Sequence, residues 1–98
     1  MLKQFPATLQ EVQEWVKSYV TSVMSLDTET DGLHYGCKLK GISLCNGRSA
    51  CYINLDNNPD FDKILDLVLK TICNVDLLIM HNASFDLRVL KQYGLELR

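Results

Sequence analysis

The sequence has little proline or glycine and no marked excess of charge of either sign. Two prolines and five glycines in 98 residues, with 47% hydrophobic and 22% charged residues, exclude collagen-like, low-complexity and disordered classes. Ten basic residues against twelve acidic ones give a net charge of −2, so the chain lacks the broad basic field that attracts phosphates. A nucleic acid, if it is bound, must therefore be held by local contacts or by metal ions.

The chain also lacks an apolar run of 18 residues and an N-terminal signal pattern, so we expect no membrane association. Its four cysteines form no CxxC pair and match no common zinc spacing; they are Cys37, Cys45, Cys51 and Cys73. We therefore expect a cytoplasmic protein with reduced thiols. The length allows one domain, which would cover residues 1–98.

Periodicity and turn signals predict an α-β-β-β-α-β-α order, which is an α/β pattern. Thr8 and Glu11 form a capping box that predicts an N-terminal helix at about 8–19. Strands are predicted over about 20–26, 38–45, 49–55 and 77–80, and Asn46-Gly47 predicts a hairpin between the second and the third. Further helices are predicted over about 61–73, with Asp60 as N-cap, and over 83–93, with Gly94 as the left-handed residue that ends the second of them.

Two groups of residues on this pattern could carry chemistry. Asp27 and Glu29 lie one residue apart at the end of the first predicted strand, so both carboxylates face the same side, as a hard cation would require. An acidic strand end in solvent is an equally good reading of this pair. Asn82 and Asp86 open the last helix, where capping and the helix dipole are sufficient reasons for both. If the first and last strands are parallel neighbours, Asp86 faces the pair, and the three carboxylates would need a divalent ion between them.

The residues of the two groups resemble a known family. Leu26-Asp27-Thr28-Glu29-Thr30-Asp31-Gly32-Leu33 and His81-Asn82-Ala83-Ser84-Phe85-Asp86-Leu87 are similar to the first two motifs of the DnaQ-like, DEDD-type 3′–5′ exonucleases. Within that superfamily, the sequence most resembles the proofreading exonuclease domain of family A DNA polymerases of the polymerase I type. The likeness covers about residues 22–98 and only the N-terminal portion of such a domain.

The resemblance implies a ribonuclease H-like exonuclease fold, a mixed sheet with helices on both faces, truncated before the last motif. It implies hydrolysis of the 3′-terminal phosphodiester of single-stranded or frayed DNA with two Mg²⁺ or Mn²⁺ ions and release of a nucleotide monophosphate. Asp27, Glu29 and Asp86 would be the catalytic, metal-binding carboxylates. Thr30, Leu33 and Asn82 would contact the substrate strand, and a polymerase domain would be the partner in the parent protein.

The family's third motif, with its fourth carboxylate and its Tyr or His, has no counterpart in the sequence. We therefore expect the 98 residues alone to be inactive, and we expect an apolar sheet face that favours self-association. Two alternatives remain open, an RNase D-type exoribonuclease and a non-catalytic structural module of the same fold. The three retained carboxylates argue against the non-catalytic module, because mutually repelling charges have no structural use there.

Overall fold

The structure, a computed structural model, describes residues 2–32 and 36–95. Five strands and three helices make up the described part of the chain. In chain order they are β1 (Leu2–Gln4), α1 (Leu9–Tyr19), β2 (Val23–Thr30), β3 (Leu39–Cys45), β4 (Ser49–Asn54), α2 (Phe61–Cys73), β5 (Leu77–Met80) and α3 (Ala83–Gln92).

The strands form one mixed sheet in the order β1-β4-β3-β2-β5. The pairs β2–β3 and β3–β4 are antiparallel, whereas β1–β4 and β2–β5 are parallel. The predicted hairpin is confirmed, since Gly47 has a φ of 95° in the turn and Asn46 N–H donates to Ser49 O at 3.1 Å. The sequence did not predict β1, because three residues are too few for a period of two to show.

The first predicted strand is displaced along the chain. It was expected over 20–26, ending just before Asp27, but β2 runs from Val23 to Thr30. The reason is the partner strand, because β3 stays paired with β2 from Cys45, opposite Ser25, to Leu39, opposite Thr30. Asp27 and Glu29 therefore lie within a paired strand, and a register shift follows between Glu29 and Thr30. A bulge at this point is a common device for redirecting a strand beside a site.

One hydrophobic core joins the sheet to the helices. Met24 and Leu26 of β2 alternate into it, and they pack in one cluster with buried side chains of all three helices, such as Trp15, Ile64 and Leu90. We call the side of the sheet under the helices the helical face and the opposite side the open face. Helices on both faces were expected, but in the described residues all three share one face. No described strand follows α3. Its apolar side therefore packs on the core that the preceding elements form, and no connection to a later strand fixes its position.

The helix ends were predicted with mixed success. The capping box of α1 is confirmed, since Thr8 Oγ1 accepts from Glu11 N at 3.1 Å and Glu11 Oε1 accepts from Thr8 N. Asp60 makes no side-chain cap on α2; its Oδ2 instead accepts from Leu9 N at 3.1 Å, which ties α2 to the start of α1. Gly94 ends α3 with a φ of 102°, as predicted. Within the described ranges, no helix is long and apolar enough to cross a membrane.

Candidate active site

The open face carries the first predicted pair of carboxylates. The burial of β2 alternates, so that Asp27 and Glu29 are exposed while Leu26 and Thr28 are buried. Because successive side chains of a strand point to opposite sides, Asp27 and Glu29 share the open face. The alternation of β2 therefore agrees with the prediction that the two carboxylates face the same way.

The neighbouring strands bring polar groups to the same face. Asp27 lies opposite Ser43 of β3, and Ser43 lies opposite Tyr52 of β4. On the same face, toward β5, a groove of about 340 Å³ is lined by Asp27 together with Ile79 and His81. The described open face therefore presents a shallow groove with a carboxylate, a hydroxyl and an imidazole along its length.

Asp86 occupies a different environment from that of the other two carboxylates. Only 1% of its surface is exposed. The Thr28 hydroxyl donates to Asp86 Oδ1 at 2.5 Å, and the Thr28 N–H lies 3.4 Å from the same oxygen. Pairing of β2 with β5 ends at Leu26 opposite Met80, so the edge of β2 beyond that point is available to a side chain from α3. Asp86 thus contacts the main chain between Asp27 and Glu29 through Thr28.

The second carboxylate oxygen of Asp86, Oδ2, lacks the hydrogen-bond partner that Oδ1 has. Among the described residues, no group donates a hydrogen bond to Asp86 Oδ2, although the atom is buried. A buried polar atom without a partner is costly and calls for a ligand, an ion or a functional reason. The oxygen therefore marks this end of β2 as a place where a cation or a donor group would be stabilised.

The three carboxylates fit a hard divalent ion by the chemistry of their donors, since Mg²⁺ and Mn²⁺ prefer carboxylate oxygens. The structure does not, however, assemble them. Within residues 2–32 and 36–95, it contains no group of three His, Cys, Asp or Glu side chains that could hold a metal ion. Asp27 and Glu29 lie on the open face, whereas Asp86 is held at Thr28 in the core. A shared ion among the three stays a prediction.

The predicted substrate contacts are distributed around the same end of the sheet. Thr30 is half-buried, and its hydroxyl donates to Gly32 O at 2.6 Å within the turn that follows β2. Asn82 is exposed at the start of α3 and makes no side-chain cap hydrogen bond, contrary to its expected capping role. Leu33 lies outside the described residues. Their roles toward a substrate therefore stay predictions.

One cysteine that lines the groove has an unreactive thiol. Cys51 lines the groove but is fully buried in β4, and burial raises the pKa of its thiol to about 12. A thiol with this pKa stays protonated at neutral pH and is neither a nucleophile nor a metal ligand. Burial therefore excludes Cys51 from the chemistry of the groove, whereas Cys45, which also lines it, is half-buried.

The edge of the open face is apolar. Val23, Leu77 and Ile79 of β2 and β5 are exposed, the last two by 54% and 51%. Side chains of this kind form a patch that favours association. The expected apolar face is present, and the self-association that it would cause stays a prediction.

Sequence reasoning missed two residues of the site. Thr28 was read only as part of a motif, although its position between two exposed carboxylates already places it on the helical face. Tyr52 could not be found in this way, because its place beside Ser43 depends on the β3–β4 register. The first had a signal in the sequence, and the second had none.

Comparison with known proteins gives a consistent result. No curated protein matches the chain significantly. The Nibbler EXO domain of Aedes aegypti is similar in structure, with a TM-score of 0.71 and 10% identity, over 99% of this chain and 48% of that chain. RNase D of Escherichia coli, an exoribonuclease involved in structured RNA processing, has a TM-score of 0.65 and 23% identity, over 99% of this chain and 25% of that chain. The chain thus spans about half of the first protein and a quarter of the second.

At these identities the two structures show the fold alone, which is the ribonuclease H-like exonuclease fold. The family is shown by a sequence model of the DNA polymerase A exonuclease type, described as 3′–5′ exonuclease, which matches residues 4–98. That range includes both carboxylate motifs and every strand and helix after β1. The chain therefore belongs to the 3′–5′ exonuclease family.

Proposed function

We propose that the chain is part of a proofreading exonuclease domain that removes nucleotides from single-stranded or frayed 3′ ends of DNA. The observation that carries this proposal is the match of residues 4–98 to the exonuclease family of the DNA polymerase A type. The exposed pair of Asp27 and Glu29 on the open face supports it. The product would be a nucleoside monophosphate, and a polymerase domain would be the partner in the parent protein.

Asp27, Glu29 and Asp86 would hold the divalent ions. The chemistry that bound Mg²⁺ or Mn²⁺ supplies is neutralisation of phosphate charge and activation of water. The chain itself fixes each carboxylate separately, two on the open face and one at Thr28. Asp27 and Glu29 are fixed by β2, which is paired on both sides at Leu26, and Asp86 is oriented by the Thr28 hydroxyl. With a net charge of −2, the protein would rely on these ions to hold a polyanion.

Substrate contacts would lie at the same end of the sheet. Asn82 is exposed next to this region, and its amide can donate to a phosphate or accept from a base. The turn that Thr30 closes would bring main-chain groups to the terminal nucleotide. Leu33 would supply an apolar contact to the last base. These three roles follow from the family motif and stay part of the proposal.

A second candidate is an RNase D-type exoribonuclease. The observation that favours it is the structural likeness to RNase D of Escherichia coli over 99% of this chain. The 2′-hydroxyl is the group by which a protein distinguishes RNA from DNA. The two candidates therefore differ in one measurable property, the sugar of the nucleotide that is removed.

The experiment uses a version of the chain extended through the family's third motif, with 5′-labelled DNA and RNA of one sequence as substrates. We expect stepwise shortening of the DNA from its 3′ end in Mg²⁺ or Mn²⁺ and none in excess EDTA. Asp27→Asn should abolish shortening. Asp62→Asn is the matched control, because Asp62 is an exposed acid on α2 under the other face of the sheet.

Faster shortening of the RNA than of the DNA would favour the RNase D-type exoribonuclease over the proofreading exonuclease. Shortening that persists in EDTA, or that survives Asp27→Asn, would contradict the carboxylate site itself. The unextended 98 residues should show no shortening under the same conditions, since the fourth carboxylate of the family is missing from them. Activity of this short chain would overturn the need for that carboxylate.

A further inference from the structure

Tyr52 lies on the open face with the two exposed carboxylates. It pairs with Ser43 of β3, and Ser43 pairs with Asp27 of β2. Residues opposite one another in paired strands point to the same side of a sheet. Tyr52 and the carboxylate pair therefore share one surface, although they come from different strands and are distant in the sequence.

The ring of Tyr52 lies across Gly41. A Cβ atom built on Gly41 would fall on the Tyr52 hydroxyl, 2.5 Å from its Cζ and 2.8 Å from its Cε1. The phenol end therefore fills the place that a side chain at position 41 would take. Any larger residue at position 41 would displace the hydroxyl, and only glycine leaves the room that it occupies.

Gly41 is the cross-strand partner of Glu29. Cβ atoms of directly opposed residues lie about 4.5–5.5 Å apart. Because the Tyr52 hydroxyl overlaps the place of the Gly41 Cβ, it lies on the same face as Glu29 and at about a cross-strand distance from it. Glu29 is exposed, so its carboxylate can turn toward the hydroxyl by a change of rotamer within the length of its side chain.

We propose that Tyr52 is a positioning residue for the exonuclease site: its hydroxyl donates to the Glu29 carboxylate and holds it on the open face. Tyrosine hydroxyls are good donors to carboxylates, and such a contact restricts a side chain that would otherwise sample several rotamers in solvent. The role toward the metal-binding carboxylate rests on the proposed function, whereas the contact itself does not.

A purely structural role would be to cover a glycine within a strand with an aromatic ring. That role needs the ring but not the oxygen. Tyr52→Phe separates the two, since phenylalanine retains the ring over Gly41 and loses only the donor. Gly41→Ala makes the converse change, because it keeps the hydroxyl in the protein but pushes it away from Glu29.

The contact is tested by a double-mutant cycle of Tyr52→Phe and Glu29→Ala, measured as the unfolding equilibrium constant in urea without metal. We expect the two changes to be coupled by about two- to tenfold, the range for one hydrogen bond. Tyr93→Phe with Glu29→Ala is the control pair. The Tyr93 hydroxyl accepts from Leu39 N at 3.0 Å, so its loss should affect stability with no coupling to Glu29.

The positioning role is tested by Mn²⁺ affinity, measured by electron paramagnetic resonance of the free ion. Tyr52→Phe and Gly41→Ala should each weaken binding by about tenfold, as loss of a group that orients a ligand does. Tyr93→Phe should leave the affinity unchanged.

The two measurements fail in different ways. Absence of coupling between Tyr52 and Glu29 overturns the contact, whatever the ion does. Coupling with unchanged Mn²⁺ affinity in Tyr52→Phe overturns the positioning role and leaves a structural hydrogen bond. If the unaltered chain takes up no Mn²⁺, the proposed function loses support, and the cycle still decides whether the contact exists.

Discussion

The hydrogen bond from Thr28 to Asp86 offers a direct test of how the acidic helix is joined to the sheet. Thr28→Val replaces the hydroxyl by a methyl group of nearly the same size at a site that is only 7% exposed. The change removes the donor at 2.5 Å, and of the donors in the described residues only the Thr28 N–H, at 3.4 Å, then remains near Asp86 Oδ1. Its effect therefore isolates one contact between β2 and α3.

The magnitude follows from the chemistry of the two partners. A hydrogen bond to a carboxylate contributes about 1.5–3 kcal/mol to stability. The additional buried methyl group in valine stabilises the fold by up to about 0.8 kcal/mol, which offsets part of this loss. We therefore expect Thr28→Val to lower the free energy of unfolding by about 1–2 kcal/mol, the difference between these terms.

Urea unfolding can be followed by the fluorescence of Trp15, the single tryptophan, which is 3% exposed in the core. Thr71→Val is the matched control, because the Thr71 hydroxyl donates to the main-chain Leu67 O at 2.8 Å and not to a carboxylate. Threonine and valine have similar helix propensities. Thr28→Ser, which keeps the hydroxyl, should retain more stability than Thr28→Val even though it buries less apolar surface.

Two outcomes would refute this reasoning. If Thr28→Val loses no more stability than Thr71→Val, the bond to Asp86 contributes nothing beyond an ordinary hydroxyl contact. If Thr28→Ser is less stable than Thr28→Val, the methyl group matters more than the donor. The first result would make the bond to Asp86 an ordinary hydroxyl contact, and the second would assign the junction of β2 and α3 mainly to apolar packing.

Three further predictions concern other parts of the chain. The main-chain N–H groups of Thr8 and Ala7 donate to the Glu11 carboxylate and lower its pKa, so this carboxylate stabilises the fold above its unfolded pKa and stops doing so as the pH falls through the lower folded value. Glu11→Gln should flatten the acid side of a urea-midpoint profile, and a profile unchanged in shape would contradict the capping role. Cys51, with a thiol pKa of about 12, should react with a disulfide reagent only when urea unfolds the chain, and labelling in the folded state would contradict its burial. Ile79→Lys should shift sedimentation toward the monomer, whereas Gln13→Lys on the exposed side of α1 should not; equal behaviour of the two variants would exclude the apolar edge as the cause of association.

Local patterns in the sequence predicted several elements well because their causes are local. The capping box at Thr8 and the spacing of apolar residues predicted α1 to within one residue of the bounds Leu9–Tyr19 that the structure has. Asn46-Gly47 gave the β3–β4 hairpin, because only a few residues support the conformation of a tight turn. The start of β2 was missed by three residues, since its extent depends on pairing with β3 and not on its own composition.

The candidate site was predictable in part. Asp27, Glu29 and Asp86 were identified by type and by spacing, and the period of a strand placed the first two on one face. The same period could not show that Asp86 turns toward Thr28, because that contact depends on where β5 ends and how α3 lies against the sheet. Contacts between residues 58 positions apart in the chain leave no periodic signal.

The sequence by itself determined the family, the order of the predicted elements and the carboxylates that could bind a metal, because motifs and periodicity are carried by residues close together in the chain. Only the tertiary structure decided which face those carboxylates occupy, what Asp86 contacts and why glycine stands at position 41. The physical reason is register: a strand's own residues fix which side each points to, but its neighbours are set by pairing with other strands. Tyr52 meets Glu29 across Gly41 only after β2, β3 and β4 have paired.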